Sequence, residues 1–409
     1  MHAQQTAAYY IGLMSGTSLD GVDAVLSRFG PNQKAQFLHA ASVALPPELR
    51  ARLLALNHSG PDELVGAARA AQALVQHYSL AVEQLLQQAS LRPDAIAAIG
   101  AHGQTVRHLP AEGISIQINA PALLAEQTGI DVIADFRSRD LAAGGQGAPL
   151  VPPFHALLFA HSHPRAVVNI GGMANITVLA APPPSLHSLN RPHSKDLKDG
   201  KPSLHSQKQY AEQPSDPDFF GFDCGPGNVL MDLWCQQHLQ KAYDHNGQWA
   251  ASGQINQALL DLLMAEPWLS LPPPKSTGRD LFNAQWLAQK LSLFGQPITA
   301  ADVQATLLAF TAQSIAAAIA QWAPQSQELI ICGGGAHNSQ LLAVIEQQLA
   351  AHNLEATVRS STALGIEPQY IEAFAFAWLA YAYDQKISAG HPQVTGANKK
   401  TVLGARYFS

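Results

Sequence analysis

The hydrophobic pattern changes period repeatedly along the chain. Residues 9–14 form a short apolar, β-prone run, and Val22, Ala24 and Leu26 then alternate, so two strands flank a small polar loop. Over 46–90 the spacing turns helical through Leu53, Leu54, Leu64, Val65, Leu74, Val75, Leu85 and Leu86, with Pro61-Asp62 dividing a first helix from a longer second one. Residues 95–100, 114–118 and 130–134 return to strand patterns, and Asn119-Ala120-Pro121 opens a helix with Asn119 as its cap. Residues 165–170 and 176–179 predict a second hairpin. Residues 219–222 predict a further strand, followed by a helix whose apolar face is Val229, Leu230, Leu233 and Trp234. Thr299 and Asp302 form a capping box for an alanine-rich helix ending at Trp322. A buried strand at 328–332 and a helix over 338–351 follow, and Gly365-Ile366-Glu367-Pro368 opens a last long helix with Glu372 near its start. Strands and helices alternate, which indicates an α/β protein. Residues 181–217 break the pattern: rich in Pro, Ser, His, Lys and Gln, they read as a mobile surface insertion, and His187, His193 and His205 belong to that low-complexity tract rather than to a metal site.

Composition narrows the class. A length of 409 residues suggests two domains or lobes, and 47% hydrophobic against 13% charged residues allows a sizeable core. The net charge of −6 and the lack of a basic stripe argue against nucleic acid as a partner. The most apolar stretches are 305–323, which carries Thr311, Gln313 and Ser314, and 371–383, which is short and contains Glu372, so both read as buried helices rather than membrane spans. Cys224, Cys235 and Cys332 are scattered, without a disulfide framework or paired zinc spacing. With no signal peptide pattern, a cytoplasmic location is expected.

The candidate chemistry sits at the strand ends. Ser15-Gly16-Thr17-Ser18-Leu19-Asp20-Gly21 offers two glycines, three hydroxyls and a carboxylate, a composition that aims N–H and O–H groups at an anion. Asp20 would repel a bare phosphate, and it makes sense with a Mg²⁺ between the two. An ordinary hairpin turn has the same composition, so the loop alone does not decide. Gly171-Gly172-Met173-Ala174-Asn175 repeats the strand–turn–strand arrangement, and two such hairpins in two lobes would clamp one polyphosphate. Gly333-Gly334-Gly335 joins a strand to a helix, a common nucleotide seat, but without a dinucleotide fingerprint. The 275–280 segment, Lys-Ser-Thr-Gly-Arg-Asp, follows a triple proline and is not a Walker A motif. His102 alone reads as a satisfied strand-end histidine. The alternating charges at 135–140, followed by Gly144-Gly145-Gln146-Gly147, suit either a polyhydroxylated ligand or a solvated turn. Asp223 ends a strand before a Gly-Pro-Gly turn, exposing a carboxylate to a cleft, whereas Asp232 on the next helix reads as capping or structural.

Taken together, Ile11-Gly12-Leu13-Met14-Ser15-Gly16-Thr17-Ser18-Leu19-Asp20-Gly21, His102-Gly103-Gln104-Thr105, Ala134-Asp135-Phe136-Arg137, Gly145-Gln146-Gly147-Ala148-Pro149-Leu150-Val151-Pro152, Asn169-Ile170-Gly171-Gly172, Asp223-Cys224-Gly225-Pro226-Gly227-Asn228 and Gly333-Gly334-Gly335 resemble the anhydro-N-acetylmuramic acid kinases. The resemblance spans the chain except 181–217. It implies a two-lobed actin/Hsp70/hexokinase-like (ribonuclease H-like) ATPase fold with an interlobe cleft. Lobe I would be 1–135 joined by about 373–409, and lobe II 136–372. Carried over by residue, Gly16, Thr17, Ser18, Leu19, Asp20, Gly21, Val22 and Asp23 would bind ATP phosphates and their Mg²⁺, with Asp20 toward the metal. Gly171 and Gly172 would form the second phosphate turn, and Gly333 and Gly334 would approach the adenosine. Asp223 would be the catalytic base, supported by Glu372, and Gln104, Arg137 and Asp140 would contact the sugar. Cys224 stands where the family often carries threonine. The implied reaction opens a 1,6-anhydro amino sugar with water while phosphorylating O6, in peptidoglycan recycling. The implied partner is that small molecule, with no nucleic acid or membrane, and a homodimer is compatible. Two rivals differ in kind. A nucleotide-gated chaperone or filament protein would leave the 135–140 and Asp223 loops without a purpose, and a kinase for a sugar with a free hydroxyl would consume no water.

Overall fold

Alternation of apolar residues builds the first hairpin: β1 (Ala8–Met14) and β2 (Gly21–Phe29) pair antiparallel, Gly12 opposite Val25 and Met14 opposite Asp23. The computed structural model describes residues 8–16, 19–30, 35–180 and 219–409, so Thr17, Ser18 and the 181–217 insertion lie outside the described residues. β3 (Ala35–Ala44), β4 (Ile96–Ala101), β5 (Gln104–Leu109), β6 (Ile114–Ile118) and β7 (Val132–Ala134) follow. Then come β8 (Arg165–Ile170), β9 (Met173–Leu179), β10 (Phe219–Pro226), β11 (Glu328–Cys332), β12 (Thr357–Ser360) and β13 (Ala405–Tyr407). One sheet runs β13-β7-β4-β1-β2-β3, another β10-β9-β8-β11-β12, and β5-β6 is a separate ribbon. In each large sheet an antiparallel meander, β1-β2-β3 or β8-β9-β10, continues through two parallel strands, β4 and β7 or β11 and β12. The same connectivity occurs twice, which is the duplicated ribonuclease H-like arrangement of the actin/Hsp70/hexokinase-like ATPases.

The core is divided by the sheets. Outside the first sheet, helices Pro47–Ala55, Glu63–Ala89 and Pro121–Thr128 bury Leu53, Leu74 and Leu124. Outside the second, helices Val229–Leu239, Ala300–Trp322 and Ser339–Ala351 bury Leu230, Phe310 and Ile345. Ala300–Trp322 has the length and composition of a membrane span, but its apolar residues are spent on this core. Between the sheets, helices Ile371–Asp384 and Pro152–Phe159 share one cluster with Tyr10, Phe29, Val167 and Ile330.

The first-sheet packing sets the position of Glu372. A Cβ on Gly12 would lie 1.8 Å from the Ala373 carbonyl oxygen, and one on Gly100 2.0 Å from that of Phe376. Only glycine lets the helix Ile371–Asp384 lie this close to β1 and β4. Its first turn, carrying Glu372, then opens on the cleft.

Two local expectations change. The 135–140 stretch is not a loop: Asp135, in the left-handed region (φ 58°), starts a short helix, Phe136–Ala142. Asn119 is not the cap of helix Pro121–Thr128; that position is Ala120, whose N–H donates to Asn119 Oδ1 at 2.9 Å.

Candidate active site

A cleft of about 1430 Å³ opens between the two sheets. On its second-sheet wall, Asn169 of β8 faces Asn175 of β9, which faces Asp223 of β10. Cross-strand partners project to the same side, so three polar side chains form one row. The register of β10 shifts between Asp223 and Gly225, a bulge at the carboxylate. Asp223 is 5% exposed. Its N–H donates to the Lys275 carbonyl at 3.0 Å, and its Oδ2 accepts the Thr277 N–H at 2.9 Å. No hydrogen bond among the described residues occupies Oδ1. Burial pushes the Asp223 pKa up to about 7, against the pull of the Thr277 N–H, Arg137 and Lys275. A carboxyl poised there exchanges a proton near neutrality, as a general base requires.

Arg137 reaches the cleft from helix Phe136–Ala142. Its Nη1 donates to the Gly147 carbonyl at 2.7 Å, and Nη2 and Nε approach His102 Nε2 at 2.9 and 3.3 Å. His102 Nε2 must therefore be an acceptor, which assigns its proton to Nδ1. Burial, then Arg137, hold the His102 pKa well below the ordinary imidazole value. Arg137 in turn feels the charges of Glu372, Asp223 and Asp140. Burial raises the Glu372 pKa, opposed by Arg137 and by a hydrogen bond from Asn169, with Asp23 adding to the rise. Gln104 is buried and accepts the Ser15 hydroxyl at 2.6 Å, tying the first loop to β5.

Asp140 does not face the cleft. It is fully buried, its Oδ2 accepting the Gly147 N–H at 2.8 Å and its Oδ1 the Thr395 hydroxyl at 2.7 Å. Its carboxylate folds the 144–147 loop whose Gly147 carbonyl holds Arg137. Asp140, expected as a sugar contact, thus meets the cleft only through that loop and Arg137.

Gly16, Asp20, Gly21 and Asp23 line the cleft, whereas Leu19 and Val22 point into the core. Asp20 is exposed, with Arg50 at 3.6 Å, and Asp23 accepts the Ser42 hydroxyl at 2.5 Å. Opposite, the Gly171 and Gly172 carbonyls accept N–H groups of Asn228 (2.8 Å), Gly227 (2.8 Å) and Val229 (3.2 Å), locking that turn onto helix Val229–Leu239. Gly333, at φ 78°, and Gly334 complete this wall. An exposed carboxylate such as that of Asp20, facing the second glycine turn across the cleft, is the hard oxygen donor that Mg²⁺ takes. Among the described residues no three His, Cys, Asp or Glu form a metal cage, so such an ion would rely on ligand oxygens as well.

Sequence reasoning missed Thr277, Asn169 and Asn175. Thr277 acts through its backbone, which no side-chain pattern reveals. Asp232, read as structural, lines the cleft, and burial, with Asp20 adding, pushes its pKa up to about 8 against Arg279.

The duplicated fold and its interlobe cleft define an actin/Hsp70/hexokinase-like ATPase architecture. The family profile described as anhydro-N-acetylmuramic acid kinase matches residues 8–213 and 212–409. Relatives bearing that name come from Bordetella petrii, 52% identical over 97% of this chain and 96% of theirs, and from Burkholderia orbicola, 46% identical over 97% and 96%. The chain belongs to the anhydro-N-acetylmuramic acid kinase family and is a kinase. Solved structures are more distant. An activator of 2-hydroxyisocaproyl-CoA dehydratase from Clostridium difficile with bound ADPNP has a TM-score of 0.41 at 12% identity, covering 92% of this chain and 96% of its own. A ROK hexokinase from Thermus thermophilus has 0.35 at 15%, covering 91% and 99%.

Proposed function

We propose that this kinase opens the 1,6-anhydro ring of 1,6-anhydro-N-acetylmuramic acid with water and phosphorylates O6 from ATP, giving N-acetylmuramic acid 6-phosphate and ADP. The observation that carries the reading is Asp223: a buried strand-end carboxyl in the cleft, one oxygen held by Thr277, with a pKa of about 7. Asp223 takes a proton from water as the water oxygen bonds to C1. The C1–O6 bond breaks, O6 takes the γ-phosphoryl group, and ADP leaves. The base duty is that of an inverting glycosidase, here coupled to phosphoryl transfer.

The remaining roles are part of the same proposal. Arg137 and Gln104 bind and orient the sugar beside Asp223, and Glu372 keeps Arg137 charged and oriented. The loop from Gly16 to Asp23, including Thr17 and Ser18, and the Gly171-Gly172 turn bind the phosphates, while Gly333 and Gly334 leave room for the adenosine. When bound, Mg²⁺ neutralises charge on the phosphate oxygens, and Asp20 would hold it. The product belongs to peptidoglycan recycling and amino-sugar catabolism in the cytoplasm. A monomer or a homodimer serves equally, and neither nucleic acid nor a membrane is required.

The test is to supply Mg-ATP with either the anhydro sugar or reducing N-acetylmuramic acid and weigh the product. The anhydro sugar should gain one water and one phosphoryl group. A gain of the phosphoryl group alone, or faster turnover of the reducing sugar, would overturn the reading.

A further inference from the structure

Lys275 is a buried cation beside Asp223 that does not pair with it. It is 5% exposed and does not line the cleft. Its Nζ donates to the Leu269 carbonyl at 2.8 Å, with that of Trp268 at 3.5 Å, and stands 4.5 Å from the Trp268 ring centroid and 6.0 Å from that of Phe222. Its main chain meanwhile touches the base: the Lys275 carbonyl takes the Asp223 N–H at 3.0 Å, and two residues on the Thr277 N–H donates to Asp223 Oδ2 at 2.9 Å. Residues 275–277 thus run along β10, the edge strand of its sheet.

We propose that Lys275 is a positioning residue for Asp223, its carbonyl-caged ammonium pinning 275–277 against the base and supplying positive potential without occupying the free oxygen. This rests on the reading of Asp223 as the base. A direct ion pair would fill Oδ1 and drive the pKa far down, leaving a weak base with no room for water. Burying an ammonium is costly, and a neutral side chain would pack here without that penalty. The groups facing Asp223 are Arg137 from helix Phe136–Ala142, Lys275 and Asp280 from the following segment, and Cys224 on β10 itself. Arg137 and Lys275 favour the carboxylate and Asp280 opposes it, while burial pushes the Cys224 thiol up so that it stays neutral.

The experiment follows kcat/KM against pH for Lys275→Gln, which keeps a donor for Leu269 without the charge, with Lys275→Met as a second neutral variant and Lys275→Arg as the charged control. In either neutral variant the acidic limb should move up by about one pH unit. Activity at about pH 7 then falls about five-fold and recovers by about pH 9, with KM for ATP unchanged. Lys275→Arg should keep the limb in place. A loss equal at every pH, or a lower melting temperature with the limb unmoved, would overturn the proposal and make Lys275 purely structural. If instead Asp223→Asn retains turnover, it is the assignment of the base that fails.

Discussion

At the residue scale, Asp223, the proposed base, would serve two opposed demands, because the burial that raises its pKa toward neutrality also makes its charge costly. Asp223→Asn should lower kcat about 10²–10⁴-fold while leaving nucleotide affinity intact, measured by steady-state kinetics and equilibrium titration. A normal kcat would remove the base from the reaction. Stability should move the other way. The carboxyl pKa rises from 3.8 to about 7 on folding, so the folded chain holds this proton more tightly than the unfolded one. The stability linked to it is complete below about pH 4 and is lost as pH rises through about 7. Asparagine never ionises, so the variant should melt above the wild type at about pH 8, and the gap should close at about pH 4. The place of Asp223 in the cleft was legible because a carboxylate between a strand and a Gly-Pro-Gly turn has few structural uses. The buried place of Asp140 was not legible, because alternating Asp and Arg look alike whether they face a ligand or, as here, lie beneath a loop.

At the element scale, the helix Ile371–Asp384 carries Glu372 to the cleft only because β1 and β4 offer Gly12 and Gly100 beneath it. Gly100→Ala should cost at least about 1–3 kcal/mol, read from the denaturation midpoint, because backbone on both sides must shift. It should also lower kcat by displacing Glu372. An unchanged midpoint would mean that the helix packs more loosely than described. The hairpins and long helices were visible because their periodicity extends over several residues with turn or cap residues at the ends. Helix Phe136–Ala142 was not, since only Phe136 and Asp140 of its side chains clearly turn inward. β13 was equally silent: Arg406, paired with Asp131 and Asp384, holds it in antiparallel pairing with β7, a tertiary arrangement with no local signal.

At the scale of the whole molecule, glycine turns from both sheets face one cleft, and the chain passes from one sheet to the other between β7 and β8 and again between β12 and β13. Ligands that must enter such a cleft and then be shielded from bulk water require the walls to approach each other. The radius of gyration from small-angle scattering should fall when a non-hydrolysable ATP analogue and the anhydro sugar bind together. An unchanged value with both ligands bound would argue for a rigid cleft. Closure would matter for the proposed reaction, which admits one water and no more: that water must end on the sugar and not on the phosphate. Turnover in heavy-oxygen water tests this most directly. The expected product is a sugar phosphate carrying a single heavy oxygen, on C1, with none in the transferred phosphoryl group. An unlabelled sugar phosphate, or label in the phosphate, would contradict the coupling of ring opening to phosphorylation at Asp223.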